Sequence, residues 1–221
     1  MTKPKHIAIS LDNIFDYCRK NNININECYD KYFELLNKLL DFYVKTDIPV
    51  LTFYLLHDIE KSASDYLTFV DYIADFFNDL SNKPLIYEYK IKISIFGKWF
   101  NLPGKVIESL KNIIEKTKDF DSFFINFCIN YDGQEEIVDA CKLIAKQVEL
   151  GKIDAEMITK DTIKESIYSS YFLPPDIILI YGERKLTGLL LWDSANSKIV
   201  FADKSFMDFE EEDLEWLFLW K

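Results

Sequence analysis

The sequence predicts an α/β fold: one domain spanning residues 1–221, with a mainly parallel sheet of about six strands flanked by helices. Three observations carry the fold class. Short apolar runs rich in β-branched and aromatic residues recur along the chain, and longer stretches with apolar residues at helical spacing separate them. No repeat, low-complexity segment or Gly/Ser linker breaks the alternation. Parallel neighbours need a crossover, so strand–helix alternation favours a parallel sheet over hairpins. At 221 residues, 49% hydrophobic, with 6 Gly and 6 Pro, the chain is sized for one core.

The elements follow in order. HIAISLD, PVLTFYLL, KIKISIFG, DSFFINFCINY, DIILIYG and KIVFAD each read as a strand. ECYDKYFELLNKLLDFYVK reads as a helix because Tyr32, Leu35, Leu36, Leu39, Leu40 and Tyr43 share one face. ASDYLTFVDYIADFFNDL repeats the pattern with Leu67, Val70, Ile73, Phe76, Phe77 and Leu80. GKVIESLKNIIEK, QEEIVDACKLIAKQVEL and DLEWLFLW continue it, and a further helix-like run extends from Leu186 to Ala195. Trp192 in that run reads as a core residue, and the acidic cluster EEED at 210–213 as a solvated helix start.

Composition excludes several classes. A net charge of −11 disfavours nucleic acid or an anionic bilayer as a direct partner, since binding there depends on Lys and Arg replacing counterions. MTKPKHIAISLDN holds no apolar signal region, and no stretch approaches the ~20 apolar residues of a membrane span, so a cytoplasmic protein without a transmembrane segment is expected. Cys18, Cys28, Cys128 and Cys141 share no C-x-x-C spacing and read as free structural thiols. His6 and His57 lack ligand-spaced companions, so no zinc site is expected.

In open α/β sheets ligands sit beyond the carboxyl ends of the strands. Function is therefore expected in the turns after Leu11, Leu56, Gly97, Tyr131 and Tyr181. The segment LIYGERKLTGLLLWDSANSK, 179–198, has the strand–turn–helix order of an anion site, yet only Arg184 and Lys185 supply positive charge.

These turns, in this order and spacing, resemble those of the cis-prenyltransferases, the undecaprenyl diphosphate synthase family, over nearly the whole chain. HIAISLDN resembles the opening strand that ends in Asp-Gly-Asn-Gly-Arg, and INFCINYDGQEEIVDA the Asn-Tyr-Gly-Gly-Arg-x-Glu-Ile segment. LPPDIILIYGERKLTGLLLWDSA is similar to the segment with Arg-Thr-Ser-Gly-Glu-x-Arg-x-Ser and a Leu-Leu-Trp helix, and FMDFEEEDL to the start of the C-terminal helix. The resemblance implies extension of an allylic diphosphate by isopentenyl diphosphate with Mg²⁺.

The ligands of that chemistry are largely replaced. The family's first-turn Asp is kept as Asp12, but Asn13, Ile14, Phe15 and Asp16 stand where it has Gly, Asn, Gly and Arg. A backbone phosphate nest needs small residues, which Ile14 and Phe15 are not. Asp16 puts an anion where a cation should sit, reversing an interaction of about 4 kcal/mol at ~4 Å and an effective dielectric of 20. Ile25 and Tyr29 take the places of a further Arg and a His, and HDIEK puts Glu60 at the position of the catalytic Asn. Leu179, Lys185 and Thr187 replace the two Arg and the Ser that clamp isopentenyl diphosphate, and Lys198 replaces a metal-ligating Glu. Lys185 cannot reproduce the bidentate fork of Arg. Asp12, Lys185 and Thr187 are thus vestiges of a site whose other positions, Asn13, Asp16, Glu60, Leu179 and Glu183, form a degenerate pocket.

Each feature has a plainer reading. Asp12 at a strand end reads as an acceptor for turn N–H groups rather than a metal ligand, since one carboxylate without its partner is a poor Mg²⁺ site. Gly182 and Glu183 shape a turn. Phe69, Tyr72, Phe76 and Phe77, on a helix that lines the isoprenoid tunnel in the family, read as core packing. The pattern resembles the non-catalytic subunits of two-component cis-prenyltransferases, such as the Nogo-B receptor. That resemblance implies a heterodimer with a catalytic homologue that carries the Mg²⁺, or else a homodimer, with no cofactor of its own and peripheral membrane placement through the partner. The interface is expected at Ile129, Asn130, Tyr131, Gln134, Glu135 and Ser197. One departure is that EWLFLWK stands in place of the family's Arg-x-Gly. Two alternatives stay open. One is a divergent Mg²⁺-dependent prenyltransferase or terpene synthase using Asp12 with Asp16, Asp58 or Glu60; the other is an inert isoprenoid-binding module.

Overall fold

The computed structural model describes residues 3–11, 14–57, 66–210 and 212–213. The six expected strands are β1 (His6–Ser10), β2 (Val50–His57), β3 (Ile91–Phe96), β4 (Phe123–Tyr131), β5 (Ile177–Ile180) and β6 (Lys198–Phe201). They form one sheet in the order β3-β4-β2-β1-β5-β6, and every pairing is parallel. Seven helices, α1 (Ile14–Asn21), α2 (Ile25–Tyr43), α3 (Tyr66–Leu80), α4 (Pro84–Glu88), α5 (Gly104–Thr117), α6 (Gly133–Glu149) and α7 (Lys160–Ser166), accompany it among the described residues.

Alternation along the strands divides the interior into two cores. Ile7, Ile9, Leu51, Phe53, Ile93, Ile125, Phe127, Ile129 and Leu179 face a large core shared with α1, α2, α3 and α5. Ala8, Tyr54, Cys128, Ile178 and Ile180 face a smaller one, closed by Phe172, Leu189 and Leu190. Strands covered on both faces read as almost continuous apolar runs, which is how these segments look in the sequence.

Helix ends follow local chemistry. The Asn24 side chain accepts from the Asn26 amide to start α2, whose face Cys28, Tyr29, Tyr32, Leu36, Leu39, Leu40 and Tyr43 is buried. Asp132 caps α6 by accepting from the amides of Gln134 and Glu135 at 2.7 and 3.0 Å. On α3 the expected face is buried except for Leu67 in the first turn, which is 67% exposed.

Three expectations are overturned. Cys18 and Cys28 are not free thiols: they form a disulfide between α1 and α2, because the chain reverses at Asn22 (φ 54) and lays the two helices side by side. Of the other two, Cys128 is buried and Cys141 is exposed. The run from Leu186 to Ala195 is not an α-helix. Gly188 and Leu190 adopt left-handed backbone (φ 80 and 46), which an α-helix cannot contain, and only Asp193–Asn196 turn, as a 3-10 segment. Trp192 is half-buried rather than a core residue, and Asp193 takes the interior position instead. Its Oδ2 accepts from Lys164 Nζ at 2.7 Å and Ser169 Oγ at 2.6 Å.

The order of strands fixes where a ligand would sit. From β1 the chain moves to β2 on one side and later to β5 on the other, so the switch point lies above the carboxyl ends of β1, β2 and β5.

Candidate functional site

Two segments meet at that crevice, the start of α1 and the turn after β5, with the helices α2 and α3 beneath them. Asp12, Asn13, Asp58, Glu60 and Lys61 lie outside the described residues, as does most of DLEWLFLW.

The start of α1 is an apolar wedge. Ile14 and Phe15 are buried in the large core, and Phe15 meets Tyr29 and Phe69 edge-on, with ring centroids 6.0 and 5.3 Å apart. Tyr29, where the resemblance implies a His, is fully buried and lies 5.1 Å from Phe69 and 5.3 Å from Tyr72. Tyr32 packs edge-on to Phe206 at 5.5 Å, and Phe33 lies 5.3 Å from Phe76. Phe69, Phe76 and Phe77 are buried and Tyr72 packs against the same core, so the aromatic residues of α3 interlock with those of α1 and α2. Edge-on and tilted pairs at these separations are close-packed rings. Asp16, in the first turn of α1, is exposed. Ile25 packs half-buried at the start of α2.

The turn after β5 carries the other expected residues. Leu179 is fully buried in the strand and belongs to the large core. Gly182 provides the positive φ of 83 that the turn requires. Both cations engage carboxylates: Lys185 Nζ lies 2.6 Å from Glu183, and Arg184 pairs with Asp203. Lys185 holds the Glu183 carboxyl below its ordinary value by hydrogen bonding and charge, with a smaller contribution from Lys20 of α1. These pairs are exposed and so contribute little to stability, and both cations of the turn are already engaged with carboxylates. Thr187 is turned inward, where its hydroxyl accepts from Ser10 Oγ at 3.0 Å. The structure therefore brings Ser10, Thr187, Lys185, Glu183 and α1 to one place, and puts Leu179, Ile14 and Phe15 into the packing beneath it.

Asp12, Asp58 and Glu60, the carboxylates through which the family resemblance would place Mg²⁺, lie outside the described residues. Among the described residues no group of three or more His, Cys, Asp or Glu side chains converges in a way that could hold a metal ion. Lys198 occupies the place of an expected carboxylate ligand.

The expected interface residues separate by burial. Ile129 and Tyr131 are fully buried and Asn130 nearly so, which puts all three out of a partner's reach. The reason is β4's place inside the sheet: Ile129 faces the large core, while Tyr131 donates its hydroxyl to Glu136 Oε2 at 2.6 Å. Asn130, at φ 49, donates from Nδ2 to the Lys98 carbonyl at 2.7 Å. Gln134 and Glu135 are exposed on the first turn of α6, and Ser197 donates from Oγ to the Pro175 carbonyl at 2.6 Å.

Sequence reasoning missed a polar seam on the second face of the sheet: His6, Thr52 and Asn126 on three adjacent strands, and Lys164, Asp193 and Ser169 above them. Its one signal was polar residues at alternate positions of otherwise apolar strands.

Comparison with known proteins places this geometry. The tritrans,polycis-undecaprenyl-diphosphate synthase (geranylgeranyl-diphosphate specific) of Thermoplasma volcanium is 31% identical over 214 residues, covering 96% of this chain and 83% of that protein. The protein of the same name from Picrophilus torridus is 32% identical over 95% of this chain and 84% of its own length. Among solved structures, lavandulyl diphosphate synthase from Lavandula x intermedia, in complex with dimethylallyl diphosphate, superposes with a TM-score of 0.88 at 22% identity, covering 98% of this chain and 94% of that one. A probable undecaprenyl diphosphate synthase from Campylobacter jejuni gives 0.75 at 21% identity, over 97% and 93%. At those identities the two structures establish the shared fold. The family described as putative undecaprenyl diphosphate synthase matches residues 15–220, and the chain belongs to that prenyltransferase family.

Proposed function

We propose that this chain is a non-catalytic subunit of a two-component cis-prenyltransferase, which binds a catalytic relative and supports its synthesis of polyprenyl diphosphate. The observation that carries the reading is the packing at the switch point. Ile14, Phe15, Tyr29 and Leu179, at positions where the family resemblance implies a phosphate nest and its cations, are instead buried or interlocked apolar and aromatic side chains. A diphosphate needs donors aimed at its oxygens, and the cations of the 183–185 turn are exposed and paired with Asp203 and Glu183. Each lost charge-assisted contact removes about 1.5–3 kcal/mol, so binding of isopentenyl diphosphate falls by orders of magnitude. Mg²⁺ then belongs to the catalytic partner, and any approach to a membrane is made through it.

The test pairs two assays. The isolated chain, given farnesyl and isopentenyl diphosphates with Mg²⁺, is expected to form no polyprenyl product. Co-expressed with a complete homologue from its own genome, it is expected to co-purify with that homologue and raise its activity or yield. Turnover by the isolated chain that disappears on Asp12→Ala would establish the divergent enzyme instead. Binding of an isoprenoid with neither turnover nor a partner would establish the lipid-binding module.

A further inference from the structure

The disulfide and the apolar wedge lie on the same short helix. α1 has eight residues, too few to hold helical structure unaided, and its buried anchors are Ile14, Phe15 and Cys18. Its exposed side carries Asp16, Arg19 and Lys20. α2 does not depend on α1 for its start, because Asn24 caps it separately and nine buried side chains seat it. Between the two, Asn22 in left-handed backbone makes the reversal. A segment with few buried anchors next to a firmly seated helix opens locally at low free-energy cost. The bond from Cys18 to Cys28, closing a sequence separation of 10, ties this segment down.

We propose that α1 is a redox-released segment: the Cys18–Cys28 disulfide straps Phe15 into the aromatic cluster beneath the crevice, and reduction lets α1 undock as a unit while the rest of the fold stays closed. The reductant is a dithiol, of small-molecule or thioredoxin class. One of its thiolates attacks a sulfur of the bond, giving a mixed disulfide and releasing the other cysteine as a thiolate that takes up a proton. The second thiol of the reductant then resolves the mixed disulfide. The protein gains two thiols and the reductant leaves as its own disulfide. Cys18 and Cys28 are 2% and 1% exposed, so attack has to wait for α1 to open. After reduction the thiols remain small apolar groups that pack as before, and the closure constraint on the open state is what disappears. This inference goes beyond the subunit reading and is independent of it, since its test involves neither partner nor turnover.

The experiment uses the full chain, oxidised and then reduced with dithiothreitol, and follows amide hydrogen exchange peptide by peptide. Thiol titration of the oxidised, denatured protein is expected to find two thiols, Cys128 and Cys141. On reduction, exchange across 14–21 is expected to quicken by about a hundredfold, the loop-closure effect for this separation, while α5 and β4 keep their protection. Phe15→Ala in the oxidised protein is expected to speed the reduction itself. Four thiols in the oxidised protein would overturn the proposal, as would unchanged exchange across α1 or loss of protection in α5 together with α1. Reduction at a rate indifferent to Phe15→Ala would overturn the gating. Should that variant fail to fold, the wild-type exchange comparison decides alone.

Discussion

At His6 the hydrogen bonds select a tautomer. Nδ1 lies 2.6 Å from the Leu173 carbonyl, which only accepts, so the proton is on Nδ1 and Nε2 is bare. Thr52 Oγ1, 2.8 Å away, then donates to Nε2 while accepting from Asn126 Nδ2 at 3.1 Å. Protonating Nε2 would set two donors face to face in a buried place. The His6 pKa is accordingly lowered from 6.5 to about 4, mainly by burial, with Lys164 adding to the shift and the Leu173 carbonyl, Asp193 and Asp176 opposing it. The unfolded chain binds this proton first, so the contribution is full above pH 6.5 and is lost as pH falls toward 4, about 3 kcal/mol in all. Glu136, whose carboxyl is raised by burial, contributes with the opposite slope, so the informative quantity is the difference between wild type and His6→Gln. Urea denaturation from pH 7 to pH 4.5 is expected to show the wild type losing more stability than the variant. Parallel curves would refute the assignment.

At the scale of elements, the β4–α6 turn is held against the segment that replaces the expected helix. A Cβ on Gly133 would collide with the Gly188 carbonyl and come within 2.7 Å of Leu191 Cβ. Gly133→Ala is therefore expected to cost about 1–3 kcal/mol, the usual range for overpacking, measured as a lower midpoint in thermal denaturation. Local pattern revealed most elements, since β-branched runs and 3.6-residue stripes follow from each segment's own burial. It failed where a distant contact decided. Residues 186–195 have a helical apolar pattern, yet their backbone follows the close approach to Gly133 and the ion pair between Asp193 and Lys164. Cys18 and Cys28 sit on different helices, and no spacing rule within one element could pair them. Leu67 has the right phase on α3, but it lies in the first turn, beyond the covered part of that face.

For the molecule as a whole, assembly is the property in question. Position within the sheet was legible only in part: the strand DIILIYG was recognisable, whereas the depth of β4 inside the sheet, which buries Ile129, was not. Ile129→Lys would place a charge in the large core and unfold the chain instead of releasing monomers. On α6, beside Gln134 and Glu135, Val138 is 43% exposed and Leu143 48% exposed. A standard interface covers about 1,600 Å². If this face meets a partner, Val138→Lys shifts sedimentation from dimer to monomer with the far-ultraviolet circular dichroism unchanged. A wild-type chain that sediments as a monomer and captures no homologue would defeat the subunit reading. The replacements at the candidate site, Leu179 among them, are residue identities and so are read directly from the sequence. That α1 packs Phe15 against Tyr29 and Phe69 is not, since it depends on three helices packing together.

The position of β4 between β2 and β3 also sets a timetable for synthesis. Among the described residues β3 pairs with β4 and with no other strand, and β4 ends 35 residues after it, at Tyr131. A ribosome adding about 5–20 residues per second leaves β3 without its neighbour for roughly 2–7 s. During that interval Ile91, Ile93, Ile95 and Phe96 form an unpaired apolar ribbon with both edges open. The nascent chain is most exposed to aggregation at this stage, and truncations that stop between 97 and 122 are the forms in which a bound chaperone should be sought.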